Sequence, residues 1–345
     1  MESVNFDRAA GYYDATRALP PAAMLALTDL LAGELGARQP CLEIGVGTGR
    51  IALPLRSRGI SLAGADISGA MLRQLLANAA AWDGSALGGA GSGGAASGGD
   101  GSGGGAASGG GAASGSGGSG GGAPSAAGGP GGALRMPVVQ ADASRLPFAA
   151  GAFGAVLAVH VLHLIPEWRV AVDEAVRVLR PGGALVASFP GYSRGVAHGA
   201  RGAIGTPAQR SDGEGRNIEA DPAAIGLTRD RRSPWADVVR EAARRHGVVR
   251  VAVGARDPGA VAVYLTGRAT ARELEPVTAR SVTTLGEALD HIERQLFSWT
   301  WPYSAQQAAA VAADVRAWAE AANMPLETEH ESESLTRWWS FELPW

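Results

Sequence analysis

The sequence predicts an α/β protein with a doubly wound, mostly parallel sheet that ends in an antiparallel C-terminal strand. Three observations support this class. Short apolar runs that end in an acid recur along the first half of the chain, at Glu43, Asp66 and Asp142. Segments with the apolar spacing of helices alternate with these runs. A continuous apolar run over residues 153–159 indicates a strand buried on both faces, as parallel strands are.

Composition limits the functional classes. The 345 residues are 46% hydrophobic and 18% charged, with a formal net charge of -3, which allows a sizeable core and gives no general attraction to nucleic acid. Cys41 is the single cysteine, so a disulfide within the chain is excluded and a reducing compartment fits. The first residues lack a signal-peptide pattern, and the longest apolar run is shorter than the roughly 20 residues of a membrane span. We expect a cytoplasmic protein with neither a membrane nor nucleic acid as partner.

The central motif lies in residues 41–55. An apolar strand leads to Gly45, Gly47 and Gly49, and helical apolar spacing follows them. Because these positions lack Cβ atoms, a ligand can approach the backbone closely, and the free amides of the following helix face it. The glycines therefore predict the floor of a nucleotide-type pocket. The alternative is a turn that only connects two elements.

Asp66 ends a second predicted strand, about 20 residues beyond the glycine turn. A carboxylate at that place can accept both ribose hydroxyls of an adenosine. The alternative for such an acid is to cap a helix, and Ser68 could take that role instead. Ile67 and Met71 follow and are expected to flank the adenine ring.

A low-complexity tract then interrupts the chain. Residues 84–133 are almost all Gly, Ala and Ser, which predicts a disordered insert. The insert joins a helix to the next strand, and in a doubly wound sheet such connections lie at the edge opposite the ligand. We therefore expect a single domain formed by residues 1–83 and 134–345, in which residues 190–300 are additions that cover the substrate.

The strands in the second half of the predicted sheet also end at polar residues. A strand at residues 138–139 leads to Asp142, and the run over residues 153–159 leads to His160, with His163 about one turn further. Either imidazole is a candidate general base near neutral pH. The alternatives are a ring that only packs for His160 and a satisfied, half-buried ring for His163. No spacing of histidines and acids suits a metal, so we expect none.

The pattern weakens beyond residue 189. Residues 190–234 are polar and rich in Gly and Arg, and we expect them to cross over the pocket. Helices are predicted over residues 21–36, 68–82, 168–179, 235–246, 285–297 and 305–322, and strands over residues 184–189, 248–253 and 261–265. Residues 334–343 predict an antiparallel edge strand. Four tryptophans could line a hydrophobic acceptor site, although a structural core is the stronger expectation: Trp299, Trp301, Trp338 and Trp339.

The spacing Glu-x-Gly-x-Gly-x-Gly, from Glu43 to Gly49, resembles motif I of the class I S-adenosylmethionine-dependent methyltransferases, which have a Rossmann-like fold. Further segments follow the same family pattern in order: a Tyr-Asp segment before motif I, Ala141-Asp-Ala143, Leu146-Pro-Phe148 and Arg180-Pro-Gly-Gly183. The last of these has a structural role in the family.

The resemblance implies S-adenosylmethionine as the cofactor. It places Tyr13 and Arg17 over the cofactor near its methionine end. It also places the Asp142 carboxylate near the adenine amino group and the backbone amide of Ala143 near a ring nitrogen. Glu43 belongs to the implied cofactor site as the first residue of motif I, and His160 belongs to it as the residue at the end of its strand.

The reaction that the resemblance implies is an in-line displacement of methyl from a sulfonium to a small molecule, with catalysis mainly by positioning. The chain has no Asn-Pro-Pro-Tyr segment after the fourth strand, which argues against amino methylation of nucleobases, and we prefer a small apolar or phenolic acceptor. Two alternatives remain open. A nicotinamide-dependent oxidoreductase would need a glycine where Arg50 stands. A non-catalytic module would bind the cofactor and act through a partner.

Overall fold

A seven-stranded sheet forms the centre of the protein. The computed structural model describes residues 3–82, 134–189, 233–248 and 253–345. The strands along the chain are β1 (Cys41–Ile44), β2 (Leu62–Asp66), β3 (Val138–Gln140), β4 (Phe153–Val159), β5 (Leu179–Ser188), β6 (Thr270–Glu273), β7 (Val277–Thr284), β8 (Glu329–Thr336) and β9 (Trp338–Glu342). The order across the sheet is β3-β2-β1-β4-β5-β9-β6, and β7 and β8 form a separate two-stranded sheet.

The sheet is mostly parallel. Strands β1 to β5 pair in parallel, and β9 runs antiparallel between β5 and β6. The predicted doubly wound α/β fold with an antiparallel C-terminal strand is thus confirmed. The prediction of an edge strand over residues 334–343 is wrong in its placement, because β9 is covered on both sides and Trp338 and Phe341 are buried in the core.

Nine α-helices lie in the described part of the chain. They are α1 (Tyr13–Arg17), α2 (Pro21–Leu35), α3 (Ala52–Ser57), α4 (Gly69–Ala80), α5 (Trp168–Val178), α6 (Ala236–Arg245), α7 (Pro258–Tyr264), α8 (Leu285–Glu293) and α9 (Ala305–Ala321). One core packs α2, α3 and α4 against one face of the sheet, and a second core packs α5 and α7 against the other. A third cluster joins α6, α8 and α9.

Several local predictions differ from the structure. Residues 261–265, predicted as a strand, belong to helix α7, because Asp257 caps its first turn and Pro258 occupies its first position. Helix α5 ends at Val178, and the segment Arg180–Gly183 forms the irregular start of β5, where the register with β4 shifts. Strands β6 and β7 were not predicted, since most of their residues are polar and exposed or half-buried.

Some predictions fall on residues that the structure does not describe. These are the Gly/Ala/Ser insert of residues 84–133, most of the crossing over residues 190–234 and most of the strand over residues 248–253. Within the described ranges, no helix is both long enough and apolar enough to cross a membrane.

Candidate active site

A cavity with about 690 Å³ of empty space opens at the carboxyl ends of β1, β2 and β4, beside the loop after β3. This volume includes solvent at the mouth of the cavity. Residues of the predicted site that line it are Tyr13, Gly45, Gly47, Asp66, Ile67, Met71, Asp142, Ala143 and His160. Arg17, Glu43, Gly49 and His163 are not among its lining residues. The structure thus brings most of the predicted residues together.

The three glycines of the turn all have positive φ but meet different surroundings. A Cβ on Gly47 would meet no atom within 4 Å, so the space in front of this residue is open to a ligand. A Cβ on Gly45 would lie 2.5 Å from Cγ2 of Val161, and one on Gly49 would lie 2.9 Å from Cγ of Leu53. Gly47 therefore belongs to the cavity floor, whereas Gly49 serves the packing of the helix and Gly45 serves both.

Asp66 is held by the backbone of two loops. Its Oδ2 accepts a hydrogen bond from the amide of Gly47 at 2.8 Å, and its Oδ1 accepts one from the amide of Ser68 at 2.8 Å. Ser68 caps helix α4 by accepting from the amide of Met71, so the acid is not needed for that role. Burial raises the pKa of Asp66, while the amides of Ser68 and Gly47 oppose the shift. Each oxygen keeps a lone pair for a further donor.

Asp142 follows β3 on the adjoining wall of the cavity. Its Oδ1 accepts two hydrogen bonds from Ser144, from the amide at 2.8 Å and from the hydroxyl at 2.7 Å. Its Oδ2 has no hydrogen bond to the part of the chain that the structure describes. One oxygen is thus fixed by its own turn and the other is available to a ligand. Ala143 lines the cavity next to it.

Glu43 is a buried acid beneath the glycine turn. It is 2% exposed, and its Oε2 has no hydrogen-bond partner among the described residues. Burial raises the pKa of Glu43 to about 8, although the nearby Arg50 guanidinium opposes the shift and the charge of Asp66 adds to it. The carboxyl is therefore mostly protonated at neutral pH in the free protein.

His160 stands at the end of β4 in a left-handed backbone conformation, with φ 48°. Its amide donates to the carbonyl of Ser188 at 3.3 Å and to the Ser188 hydroxyl at 3.2 Å. Burial lowers the pKa of the His160 imidazole to about 3, and the charge of Arg50 adds to this. The ring is thus neutral at physiological pH. Strained backbone at a cavity wall is common at functional sites.

His163 and Arg17 lie outside the cavity wall. His163 sits in a short 3-10 helix with its Nδ1 buried and unpaired within the described ranges, and burial lowers its pKa to about 4. The Arg17 guanidinium lies 3.9 Å from the centroid of the Phe297 ring and donates to the carbonyl of Leu296 at 3.5 Å. Burial lowers the pKa of Arg17, and the charge of Arg50 adds to this. In the described chain no carboxylate forms an ion pair with Arg17.

The tryptophans considered for an acceptor site do not line this cavity in the described structure. Trp338 is fully buried in the core, as the stronger expectation had it. Trp301 packs edge-on against Phe6, which does line the cavity, and Trp339 lines a second cavity next to Phe189. The described residues contain no group of His, Cys, Asp and Glu that could hold a metal ion.

Sequence reasoning missed one wall of the cavity. It is formed by Ser3, Val4 and Phe6 on one side and by Val161, Leu164 and Ile165 on the other. The amide of Val4 donates to the carbonyl of Leu164 at 3.2 Å and joins the two. Apolar residues of this kind gave no signal, because their position over a cavity depends on chain segments distant in sequence.

Comparison with known proteins gives a match to one family model over part of the chain. Residues 124–187 match the family model described as a methyltransferase domain. The match includes Asp142, Ala143, His160 and His163, and it covers β3, β4, α5 and most of β5. The half of the sheet that carries the glycine turn and Asp66 lies before the insert and outside the matched residues.

Particular relatives are similar over different shares of the chain. An uncharacterized chloroplastic methyltransferase from Arabidopsis thaliana is 48% identical over 54 residues, 16% of this chain and 15% of that protein. The CcbJ methyltransferase from Streptomyces caelestis is 23% identical, with 53% of this chain and 56% of that chain covered and a TM-score of 0.34. A SAM-dependent methyltransferase from Thermotoga maritima is 14% identical, with 98% of both chains covered and a TM-score of 0.40. Likeness at this level leaves the reaction and its acceptor to be argued from the site itself.

Proposed function

We propose that this protein transfers a methyl group from S-adenosylmethionine to a small-molecule acceptor. The observation that carries the proposal is one cavity at the carboxyl ends of parallel strands. It is lined by Gly47, by Asp66, whose carboxylate accepts from backbone amides, and by Asp142, whose Oδ2 is free for a ligand. The methyltransferase-domain match over residues 124–187 supports the same class.

The acceptor atoms of the cavity fit the nucleoside of this cofactor. The free lone pairs of Asp66 suit two vicinal hydroxyls, and the free Oδ2 of Asp142 suits an amino group. Ile67 and Met71 give apolar surface in the same cavity. A ligand held in this way is fixed at two points and enclosed by apolar walls.

When bound, S-adenosylmethionine supplies an activated methyl on a sulfonium, so the chain needs no strong nucleophile of its own. The work left to the protein is to hold the acceptor in line and to exclude water. Neutral His160 lines the cavity, and because a pKa of about 3 makes its ring a weak base, we propose that it orients the acceptor through a hydrogen bond. The apolar walls at Val161, Leu164 and Ile165 favour a small apolar or phenolic acceptor.

A calorimetric titration tests the cofactor. S-adenosylmethionine, S-adenosylhomocysteine and NAD are titrated into the wild-type protein, the Asp66→Asn variant and the Asp29→Asn variant, which changes an exposed acid paired with Arg58. We expect micromolar binding of both sulfur compounds, a loss of about tenfold or more in Asp66→Asn, and no change in the control. Preference for NAD would favour an oxidoreductase, and no binding by a folded sample would contradict the proposal.

A second experiment separates an enzyme from a binding module. S-adenosylmethionine with a labelled methyl group is incubated with the protein and a panel of small phenols, carboxylic acids and amines. Labelled product that disappears in Asp66→Asn supports methyl transfer. Cofactor binding without turnover on any acceptor, together with a stable protein partner, would favour the non-catalytic alternative.

A further inference from the structure

We infer that Asp14 is a positioning residue that ties residues 3–17, here called the strap, to the floor of the cofactor site. The inference rests on the proposed function and adds to it the group that governs how fast a bound ligand leaves. The carboxylate of Asp14 has two hydrogen-bond partners on two different elements. Oδ1 of Asp14 accepts from the hydroxyl of Thr48 at 2.5 Å, and Oδ2 accepts from the amide group of Asn78 at 3.0 Å.

One partner belongs to the glycine turn, and the other is hydrogen-bonded to it. Thr48 stands between Gly47 and Gly49 in the glycine turn and is 1% exposed. Asn78 lies on helix α4, and its side-chain amide also donates to the carbonyl of Thr48 at 3.1 Å. Asp14 therefore closes a small network that joins the strap, the turn and the helix.

The strap forms part of the cavity wall next to this network. Tyr13, the neighbour of Asp14, lines the cavity together with Phe6, and the two rings meet edge-on with centroids 5.9 Å apart. A ligand on the floor at Gly47 thus lies under side chains that Asp14 holds in place. Movement of the strap away from the turn must break the bonds of Asp14 first.

A second aspartate fastens the strap at its other end. Oδ1 of Asp7 accepts from the hydroxyl of Ser68 at 2.5 Å and from the amide of Ala70 at 3.0 Å. The hydrogen bond from Ser68 lowers the pKa of Asp7, so this carboxylate is ionised at neutral pH. Ser68 is also the residue whose amide orients Asp66. The two attachments of the strap therefore lie at or next to the two residues whose amides hold the proposed ribose-binding acid, Ser68 and Gly47.

The chemistry of the network favours a carboxylate at position 14. Thr48 and Asn78 both donate to it, and a carboxylate accepts from each in a charge-assisted bond. Asp14→Asn keeps the shape and removes the negative charge, so both bonds become weaker. Thr48→Val keeps the shape on the other side and removes the hydroxyl.

The test measures the dissociation rate of S-adenosylhomocysteine by stopped flow in the wild-type protein, Asp14→Asn, Thr48→Val and the double variant. Asp29→Asn is the matched control, because that acid is exposed and lies outside the network. We expect dissociation to be about tenfold faster in each single variant, with the association rate changed by less than twofold, and the double variant to be no faster than the singles. Hydrogen exchange should show that the ligand protects residues 5–17 in the wild type and protects them less in Asp14→Asn.

The outcomes separate this inference from the proposed function. If the wild type does not bind the ligand, the proposed function fails. If it binds and the dissociation rates of Asp14→Asn and Thr48→Val equal that of the control, the strap is not held in this way and the inference is overturned. Should Asp14→Asn fail to fold, Thr48→Val still decides, because it breaks the same bond from the other side.

Discussion

The Oδ2 atom of Asp66 accepts a hydrogen bond of 2.8 Å from the amide of Gly47, 19 residues earlier in the chain. This bond joins the loop after β1 to the end of β2 and sets the spacing between the cavity floor and the acid that we propose binds the ribose. The amide of Ser68 fixes the other oxygen, so the carboxylate cannot rotate freely. Changes in the turn are therefore expected to act on binding through Asp66 as well as directly.

Gly47→Ala should mainly weaken ligand binding, whereas Gly45→Ala should mainly lower the stability of the fold. A Cβ on Gly47, with φ 55°, meets no protein atom, so its cost to folding is the backbone strain of about 1 to 2 kcal/mol, while the methyl projects into the cavity. A Cβ on Gly45 meets Val161 at 2.5 Å and should cost about 1 to 3 kcal/mol more. Urea unfolding and calorimetry of S-adenosylhomocysteine binding measure the two effects.

The combination Gly45→Ala with Val161→Ala is the control for this pair, because it removes the atom nearest to the new methyl. Part of the lost stability should return in the combined variant. Equal losses of stability and of affinity in Gly47→Ala and Gly45→Ala would contradict the separate roles of the two glycines.

Glu43 should make the free protein less stable as the pH rises. In the unfolded chain its pKa is about 4.3, whereas burial raises the folded pKa to about 8. Between these values the unfolded state has released the proton and the folded state has kept it, so the free energy of unfolding falls with increasing pH, and it levels off above pH 8. Relative to Glu43→Gln, the wild type should lose roughly 3 to 4 kcal/mol between pH 5 and pH 8.

Urea unfolding at a series of pH values in that interval checks this prediction. The difference between the wild type and Glu43→Gln cancels the contributions of His160, His163 and Asp66, whose pKa values are also shifted. Glu329→Gln changes an exposed acid of β8 and should run parallel to the wild type. A difference between the wild type and Glu43→Gln that stays constant with pH would mean that Glu43 is ionised in the folded protein.

The sequence predicted the sheet and much of the cavity because both depend on local patterns. Strands β1, β2 and β4 are apolar runs, and Asp66 and Asp142 follow directly from strand ends. Helix α7 was missed although Asp257 and Pro258 mark its start, since its short apolar stretch also suits a strand. The placement of β9 inside the sheet could not be predicted, because its neighbours depend on β6, a polar segment without a strand pattern.

The same limit applies to the side chains around the cavity. The bond between Asp14 and Thr48 joins residues 34 apart in the chain, and the bond between Asp7 and Ser68 joins residues 61 apart. The protonation of Glu43 depends on burial and on Arg50 rather than on its own motif. Polar residues in a leader segment gave no sign of which partners they would meet.

A substitution of Arg17 tests whether the site recognises the carboxylate of the cofactor. Arg17 does not line the cavity itself, but its guanidinium lies 5.8 Å from the ring centroid of Tyr13, which does. The guanidinium has no acidic partner in the described chain, so an anionic ligand group next to Tyr13 would relieve an uncompensated charge. Arg17→Gln should weaken S-adenosylhomocysteine by about tenfold and leave 5′-methylthioadenosine, which lacks the carboxylate, unchanged. Calorimetry with both ligands is the measurement, and equal weakening of the two would assign Arg17 to the packing of the strap alone.

His160 and His163 are separated by matched asparagine variants. Asparagine tolerates the left-handed backbone of His160, so His160→Asn removes the imidazole without adding strain at φ 48°. If the ring orients the acceptor, kcat should fall by about ten- to a hundredfold while the affinity for S-adenosylhomocysteine changes by less than about threefold. His163→Asn should leave both close to wild type, because His163 does not line the cavity.

The pH profile of kcat adds an independent check on His160. Because burial lowers the pKa of this imidazole to about 3, its charge should not change between pH 5 and pH 8, and the wild-type profile should show no histidine step there. A step near pH 6.5 that disappears in His160→Asn would contradict this environment. It would mean that the ring meets solvent or a negative charge during turnover, since either raises the pKa of a buried imidazole toward its ordinary value.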